Sequence, residues 1–335
     1  MRLRWLFLLL LVTAFVALVF TQRAEIRALM ATLAHGRWPW LLAALALEAG
    51  YFVLFAVTYH YSFAAVGVQR RVRTLLPLLL ASIFVSTVAP TGSVGGAAVV
   101  VDETARRGAA PARGAEGVLL VWAAQTAALL PIVAMALGYL YHSGDLRAYQ
   151  ILGALAYLLY VCALTGALFL GCWQAAHLRL FLSWAARAAN RLAALFRRGP
   201  WLAAGWSART TRDLCAAGQA ISSHPRALGA TLMVAFASHL LSLGCLYALF
   251  LAFSQPVHVG VLASGFALGV VFSTISVIPL DVGVVEAAMT LIYSSLGVPV
   301  SRAVVIVLAF RGITTWLPIL AGFVLVRSLS IFRDR

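Results

Sequence analysis

The segment LGVVFSTISVIPLDVGVVEAAMTLIYSSLG, residues 268–297, decides the fold because it is apolar and broken in its middle. Pro279, Asp281 and Gly283 interrupt it, and Glu286 is the only charge in the apolar stretch that follows. Proline removes a backbone donor and glycine weakens a helix, so a helix should end here and begin again. Broken backbone at membrane depth is tolerated only where protein or a water-filled cavity covers it. We therefore predict a re-entrant hairpin of two short helices.

A second uncharged stretch, Leu75–Val101, is broken in the same way by Pro90, Gly92, Gly95 and Gly96. Corresponding serine, proline and glycine positions in the two stretches lie 187 to 189 residues apart. We interpret the two regions, residues 75–141 and 261–327, as an inverted repeat whose hairpins enter from opposite sides of the membrane. In transporters, such repeats place the substrate site near the bilayer midplane. Chance similarity between apolar segments that carry glycine and proline is the alternative.

Outside the hairpins, the sequence predicts six transmembrane helices. A span needs about 20 apolar residues, and six stretches qualify, the first as an uncleaved anchor: Trp5–Phe20, Pro39–His60, Gly117–Tyr141, Gln150–Cys172, Ala227–Ser254 and Ala303–Val326. With both termini inside, 19 Arg fall on the cytoplasmic side, five fall outside and one lies within a span. This asymmetry follows the positive-inside rule. The predicted fold is therefore an all-α polytopic membrane protein, forming a single integral domain over residues 1–335.

Composition excludes several classes of function. The chain of 335 residues is 63% hydrophobic and 10% charged, whereas soluble proteins carry about 25% charged residues. Its basic excess consists of 25 Arg without any Lys, grouped between apolar runs, which is typical of membrane flanks and not of nucleic-acid binders. A P-loop requires Lys, so the chain should not hydrolyse ATP through one. Neither metal-ligand spacing nor a nucleophile motif is present, so we expect no cofactor and no enzyme activity.

The only long polar insertion is residues 173–226, which we place on the cytoplasmic side. An apolar stripe recurs there at helical spacing, with Arg179, Arg187 and Arg191 off the stripe. The pattern predicts a helix in the membrane interface, held by apolar burial and anionic headgroups. A solvated basic connector is the alternative. The stripe consists of Leu178, Phe181, Ala185, Ala188, Leu192 and Leu195.

Isolated charges within apolar segments mark the candidate site. Arg311 lies inside the last span, where a charge costs at least about 2.5–3.5 kcal/mol and should therefore face a partner or a cavity. Glu286 and Asp281 are the nearest candidate partners, in either a functional or a packing role. Glu48 is the isolated charge of the second span, and could pair with an Arg or carry a proton. Ion or proton coupling is therefore assigned to Glu48, Asp281 and Glu286.

The other polar features have simpler explanations. Gly92, Gly95 and Gly96 could direct backbone N–H groups at a lipid phosphate, but close helix packing explains them equally well. Asp102-Glu103 and Glu116, next to apolar runs, are expected to be solvated or to cap helices. The predicted substrate path comprises Pro90, Gly92, Gly95, Gly96, Pro279, Asp281, Gly283, Glu286 and Arg311.

At these residues the chain resembles a known family. The run PLDVGVVEAA, residues 279–288, is similar to the P-G-G-L-G-x-x-E-A-A signature of the lysylphosphatidylglycerol-synthase transmembrane family of flippase-like proteins. Gly297-Val298-Pro299, Phe310-Arg311 and Trp316-Leu317-Pro318 continue the pattern, and the loop at Pro90 looks like the upstream Pro-Gly loop. The resemblance implies that Pro279, Gly283, Glu286 and Arg311 are motif residues. Leu280, Asp281 and Ala97 depart from the family pattern.

The resemblance implies movement of lipid between leaflets. We expect a flippase or transporter of a phospholipid or polyprenyl-type lipid in the bacterial inner membrane, with anionic headgroups against the basic cytoplasmic face. Family members that synthesise the lipid carry a soluble aminoacyl-transferase domain, which this sequence lacks, so we do not expect synthesis. The alternatives are a non-transporting scaffold that partners a lipid-synthesising or lipid-modifying enzyme, and a membrane-embedded enzyme acting on headgroups.

Overall fold

The computed structural model describes residues 36–88, 93–173, 175–195, 205–223, 225–275 and 283–326, and these residues are predominantly helical. We number the helices α1 to α12 in chain order. They are α1 Trp38–Ala65, α2 Val72–Val88, α3 Ser93–Arg106, α4 Pro111–His142, α5 Ala148–Trp173, α6 Ala175–Leu195, α7 Trp206–Ser223, α8 Pro225–Ala252, α9 Val259–Ile275, α10 Val284–Ser295, α11 Val300–Arg311 and α12 Leu317–Leu325.

Within the described residues, five helical segments are long and apolar enough to cross a membrane. Four of them are α1, α4, α5 and α8, and the fifth runs from Val300 to Leu325. These five candidate spans coincide with five of the six predicted ones, as expected of an integral membrane protein. The predicted first span, Trp5–Phe20, lies outside the described residues.

Shorter helices flank both predicted breaks. Helices α2 and α3 pack against each other around residues 89–92, and α9 and α10 do so around residues 276–282. Both breaks lie outside the described residues, and with them Pro90, Gly92, Pro279 and Asp281. The prediction that the first break extends to Gly96 is wrong. Helix α3 begins at Ser93, so Gly95 and Gly96 are helical.

Two long helices and two short ones recur at a constant spacing along the chain. Helices α1 and α8 begin at 38 and 225 and end at 65 and 252, so both bounds lie 187 residues apart. Helices α2 and α9 begin at 72 and 259 and end at 88 and 275, again 187 apart. Helix α1 packs along α8, α2 packs on α12, and α9 packs on α4. The short helix α2 of the first half therefore contacts the last span of the second half, and the short helix α9 of the second half contacts α4, the last span of the first half.

The last span contains a π-helical segment, Gly312–Trp316, between α11 and α12. Pro318 offers the physical reason, because it has no N–H and its ring crowds the carbonyl four residues earlier. The hydroxyl of Thr314 donates to the Phe310 carbonyl at 2.9 Å within this segment. A π-helical turn inside an α-helix is rare and is frequently found at functional sites.

The polar insertion forms two helices, α6 and α7, of which only the first was predicted. Helix α7 packs on α4, α5 and α6. On α6, Leu182 is buried against the protein, whereas Phe181 of the predicted apolar stripe is 54% exposed. The exposed face also carries Leu180 and Trp184, beside the exposed Arg187. An exposed face that is both apolar and basic has the composition of a membrane-interface helix.

Candidate functional site

The predicted pair of Glu286 and Arg311 is formed. The Nε of Arg311 donates to Oε1 of Glu286 at 2.7 Å, and the two side chains are only 12% and 15% exposed. The other carboxylate oxygen, Oε2, accepts the backbone N–H of Gly283 at 2.7 Å. One carboxylate oxygen of Glu286 therefore accepts a hydrogen bond at the start of α10, and the other forms an ion pair with Arg311 in the last span.

Gly283 allows this arrangement because it is the residue before α10 and has a φ of +84°. A side chain at that position would be strained, since L-residues rarely adopt positive φ. Helix α10 begins directly after Gly283, so Glu286 lies in its first turn. A carboxylate there is also favoured by the positive end of the helix dipole.

Arg311 lines a cavity of about 360 Å³, which lies in the size range of small-molecule sites. Its walls come from both halves of the repeat: α1 and α2 on one side, and α8 to α11 with the π-helical segment on the other. Thr314 and Thr315 of the π-helical segment add hydroxyl groups beside Arg311. The cavity is therefore the place where the two halves meet around a charged residue.

Glu48 lines the same cavity and is 2% exposed. It accepts a hydrogen bond from the hydroxyl of Ser242 on α8, at 3.2 Å. His239, one turn before Ser242, also lines the cavity, and its Nε2 donates to the Gln125 carbonyl on α4 at 3.0 Å. Glu48, His239 and Arg311 lie near the middle of spans of 28, 28 and 26 residues. The cavity is thus polar at mid-span.

Aromatic side chains of α1 follow Glu48 along the cavity wall. Tyr51, Phe52 and Phe55 come three, four and seven residues after it, so all four side chains share one face of the helix. The ring of Tyr51 stacks on that of Phe55 with centroids 5.9 Å apart, and meets Phe52 edge-on at 5.1 Å. This wall combines a carboxylate with aromatic faces.

The first helix pair contributes little to the cavity. A Cβ atom added to Gly96 would meet the Ser86 hydroxyl and the carbonyl of Ser82, so α3 and α2 approach each other closely there. This contact supports the packing explanation for Gly96 over the phosphate-binding one. Of the first pair, only Ile83 lines the cavity.

Charges at the end of α3 form local ion pairs. Asp102 pairs with Arg106, and Glu103 with Arg107, four residues apart in each case. Glu103 and Glu116 are buried within α3 and α4, so the expectation that they would be solvated or cap helices is wrong for both. Arg70 donates to the Thr104 carbonyl at 2.9 Å, and partial burial followed by the nearby Arg107 lowers the pKa of Arg70. These contacts tie the loop before α2 to the end of α3.

Sequence reasoning found Glu48, Glu286 and Arg311 but missed His239, Ser242 and the aromatic wall. The spacing of Tyr51, Phe52 and Phe55 after Glu48 was a usable signal, because helical periodicity places them on one face. His239 and Ser242 belong to a span that is apolar on most sides and gave no comparable signal. Among the described residues, no group of three or more His, Cys, Asp or Glu side chains could hold a metal ion.

The fold and the cavity define a polytopic helical membrane protein with a polar site inside the span region. Comparison with known families agrees with this class: the family model described as "Lysylphosphatidylglycerol synthase TM region" matches residues 5–322. The chain belongs to this family. No curated protein matches the chain. Membership identifies a membrane protein related to lipid modification and to flippase-like function.

Proposed function

We propose that this protein moves a membrane lipid, either a phospholipid or a polyprenyl-type lipid, between the leaflets of the bacterial inner membrane. The observation that carries the proposal is the cavity at which Arg311, Glu48 and His239 meet from three spans near mid-depth. A charged group at that depth is expensive and marks a substrate or ion path by default. The cavity would take the headgroup while the acyl chains remain in the bilayer, and no covalent step is required.

The proposed topology has six spans, two re-entrant hairpins inserted in opposite senses and both termini in the cytoplasm. The bounds of the short helices and the constant repeat spacing support it. If each hairpin returns to the side from which it enters, only α4 and α5 cross the membrane between α1 and α8. Because two spans separate them, α1 and α8 then cross the membrane in opposite directions. The arginine asymmetry assigns residues 173–226 to the cytoplasm.

Cysteine labelling tests this topology. In a background without the four native cysteines, a cysteine at Ser143, in the turn after α4, should react with an impermeant reagent added outside the cell. A cysteine at Arg212 on α7 should react only after permeabilisation. Outside labelling at Arg212 alone would contradict the orientation, and outside labelling at both positions would also contradict the span count on which the opposed hairpins depend.

Lipid movement in this proposal is downhill or coupled to an ion gradient. The chain offers three carboxylates for coupling: Glu48 and Glu286, which the structure describes, and Asp281, which lies outside the described residues. Coupling through a buried carboxylate requires it to exchange a proton or to face a cation during the cycle. A flipping rate that responds to an imposed pH gradient, and no longer does so in Glu48→Gln, would assign the coupling to Glu48.

Reconstitution into liposomes tests the function itself. Purified protein should expose tail-labelled lipid of the inner leaflet to an external quencher faster than empty liposomes do. Arg311→Ala should abolish the effect, whereas Arg147→Ala, in the loop between α4 and α5, should leave it unchanged. A folded wild-type protein that moves no lipid, but copurifies with a lipid-synthesising or lipid-modifying enzyme, would favour the scaffold alternative.

A further inference from the structure

The cavity has a lining of both charge signs, and the two signs come from different helices. Arg311 on α11 supplies the positive group, with the hydroxyl of Thr315 on the same wall, whereas the Thr314 hydroxyl donates to the Phe310 carbonyl. Glu48 on α1 supplies the negative group, next to Tyr51 and Phe55. A guanidinium with a nearby hydroxyl suits a phosphate, whereas a carboxylate beside aromatic faces suits an ammonium group.

The charge balance of the lining strengthens this distinction. Arg311 is already compensated by Glu286, so that pair is neutral as a unit. Glu48 is buried, accepts a hydrogen bond from the uncharged Ser242 and, within the described part of the chain, belongs to no ion pair. A buried carboxylate without a cation is costly. An ammonium group from a ligand would compensate Glu48 while the phosphate of the same ligand contacts Arg311.

From this arrangement we infer that the cavity binds a zwitterionic headgroup in which a phosphate diester is linked to an ammonium group, as in phosphoethanolamine or phosphocholine lipids. The inference rests on the proposed function, because it names the substrate class of the same site. The aromatic faces of Tyr51, Phe52 and Phe55 can accept a primary or a quaternary ammonium group, since cation–π attraction does not need an N–H donor. A phosphate lipid without an ammonium group would leave Glu48 uncompensated.

Native mass spectrometry of the purified full chain tests the inference without requiring transport. Four lipids with identical acyl chains serve as probes: phosphatidylethanolamine, phosphatidylcholine, phosphatidylglycerol and a trimethylammonium lipid that has no phosphate. The first two should bind at least about tenfold more tightly than the last two, a difference that a desolvated charge contact can supply.

Variants identify the group that selects the ammonium. Glu48→Gln keeps the size of the side chain and should remove the preference for the two zwitterionic lipids over phosphatidylglycerol. Phe55→Leu should weaken the same preference by a smaller factor. Glu103→Gln removes another buried carboxylate, far along the chain on α3 and paired with Arg107, and should leave the preference intact. Melting temperatures of all variants confirm that binding is compared between folded proteins.

The outcomes separate the inference from the proposed function. Equal binding of phosphatidylglycerol and the zwitterionic lipids, tight binding of the phosphate-free cation, binding of none of the four, or an unchanged preference in Glu48→Gln would each overturn the inference. Such a protein could still move lipid in the liposome assay. Selective binding by a protein that moves no lipid would instead contradict the proposed function and leave the headgroup assignment in place.

Discussion

The two helix pairs of the repeat have similar lengths and opposite character. Helices α2 and α3 meet through Gly96, where the backbone of one helix lies close to Ser82 and Ser86 of the other. Helices α9 and α10 meet through large side chains over glycines, with Tyr293 against Gly265 and Met289 against Gly269. The acids of the first pair bind arginines four residues further on, at the end of α3 or just past it, whereas Glu286 binds Arg311 on another element.

The difference shows that two helix pairs of similar length can have different roles. The pair α2 and α3 is held by a close packing contact, whereas the pair α9 and α10 carries a charged residue that binds another element. The first pair gives one side chain to the cavity, whereas the second gives residues of both α9 and α10. The second pair is also the one that Glu286 connects to the last span. In the proposed mechanism, therefore, the second helix pair takes part in the charged site and the first pair supports the fold, while α1 supplies Glu48 to the cavity.

The largest effect should come from removing one partner of the charge pair. Glu286→Gln or Arg311→Ala should lower the free energy of unfolding by about 3–5 kcal/mol, because the remaining charge loses its ion-pair partner at 2.7 Å while it stays largely buried. The melting temperature of the purified variants reports this loss of stability. Glu103→Gln is the control in the first pair, where Arg107 is 43% exposed and the loss should stay below about 1 kcal/mol. Equal losses of stability in Glu286→Gln and Glu103→Gln would contradict the difference between the two helix pairs.

A double variant separates structure from function at the same pair. Glu286→Gln with Arg311→Met replaces both charges and should recover most of the stability, since no isolated buried charge remains. Lipid movement should stay absent if the pair acts in transport. Liposome flipping by the double variant at the wild-type rate would show that the pair is structural only, and would remove the functional half of the comparison.

An intermediate effect should come from filling the close contact of the first pair. Gly96→Ala places a Cβ atom against the Ser82 carbonyl, a backbone group that cannot rotate away, and should cost roughly 1–3 kcal/mol. Gly269→Ala is the matched change in the second pair, and there the flexible Met289 side chain can move aside. Chemical denaturation of both variants sharpens the comparison, and a greater loss in Gly269→Ala would contradict it.

The smallest effect on the free energy of unfolding should come from α6, outside both pairs, where the change affects membrane attachment instead. Replacing Arg179, Arg187 and Arg191 by Gln should weaken its attachment to an anionic bilayer by about 1 kcal/mol per arginine, in a salt-dependent manner. A fluorescent probe near Trp184 would report a shallower position in anionic nanodiscs, with neutral nanodiscs as the control. If the probe in the wild-type protein lies at the same depth in anionic and neutral nanodiscs, the arginines do not contribute and apolar burial alone holds α6 at the membrane. Lipid binding in the cavity should be unaffected.

Apolar run length and isolated charges were sufficient to predict much of this molecule. The spans could be predicted because a membrane helix must be continuous and apolar, and Arg311 and Glu286 because a charge inside such a helix needs a partner. Ser242 and His239 could not be predicted as site residues. Their contacts depend on α8 lying along α1 and against α4, which no local pattern encodes. The π-helical segment was also missed, since Pro318 alone predicts a disturbance and not its form.

The 187-residue spacing has a consequence for how the two halves can differ. If the predicted repeat arose by duplication, its copies share a long helix followed by a shorter one, since α1 and α8, and α2 and α9, begin 187 residues apart. Such copies can keep their helix lengths while their side chains diverge. Glu286 and Arg311 are then one such difference, because the acids of the first pair bind arginines four residues further on, whereas Glu286 binds an arginine of another element.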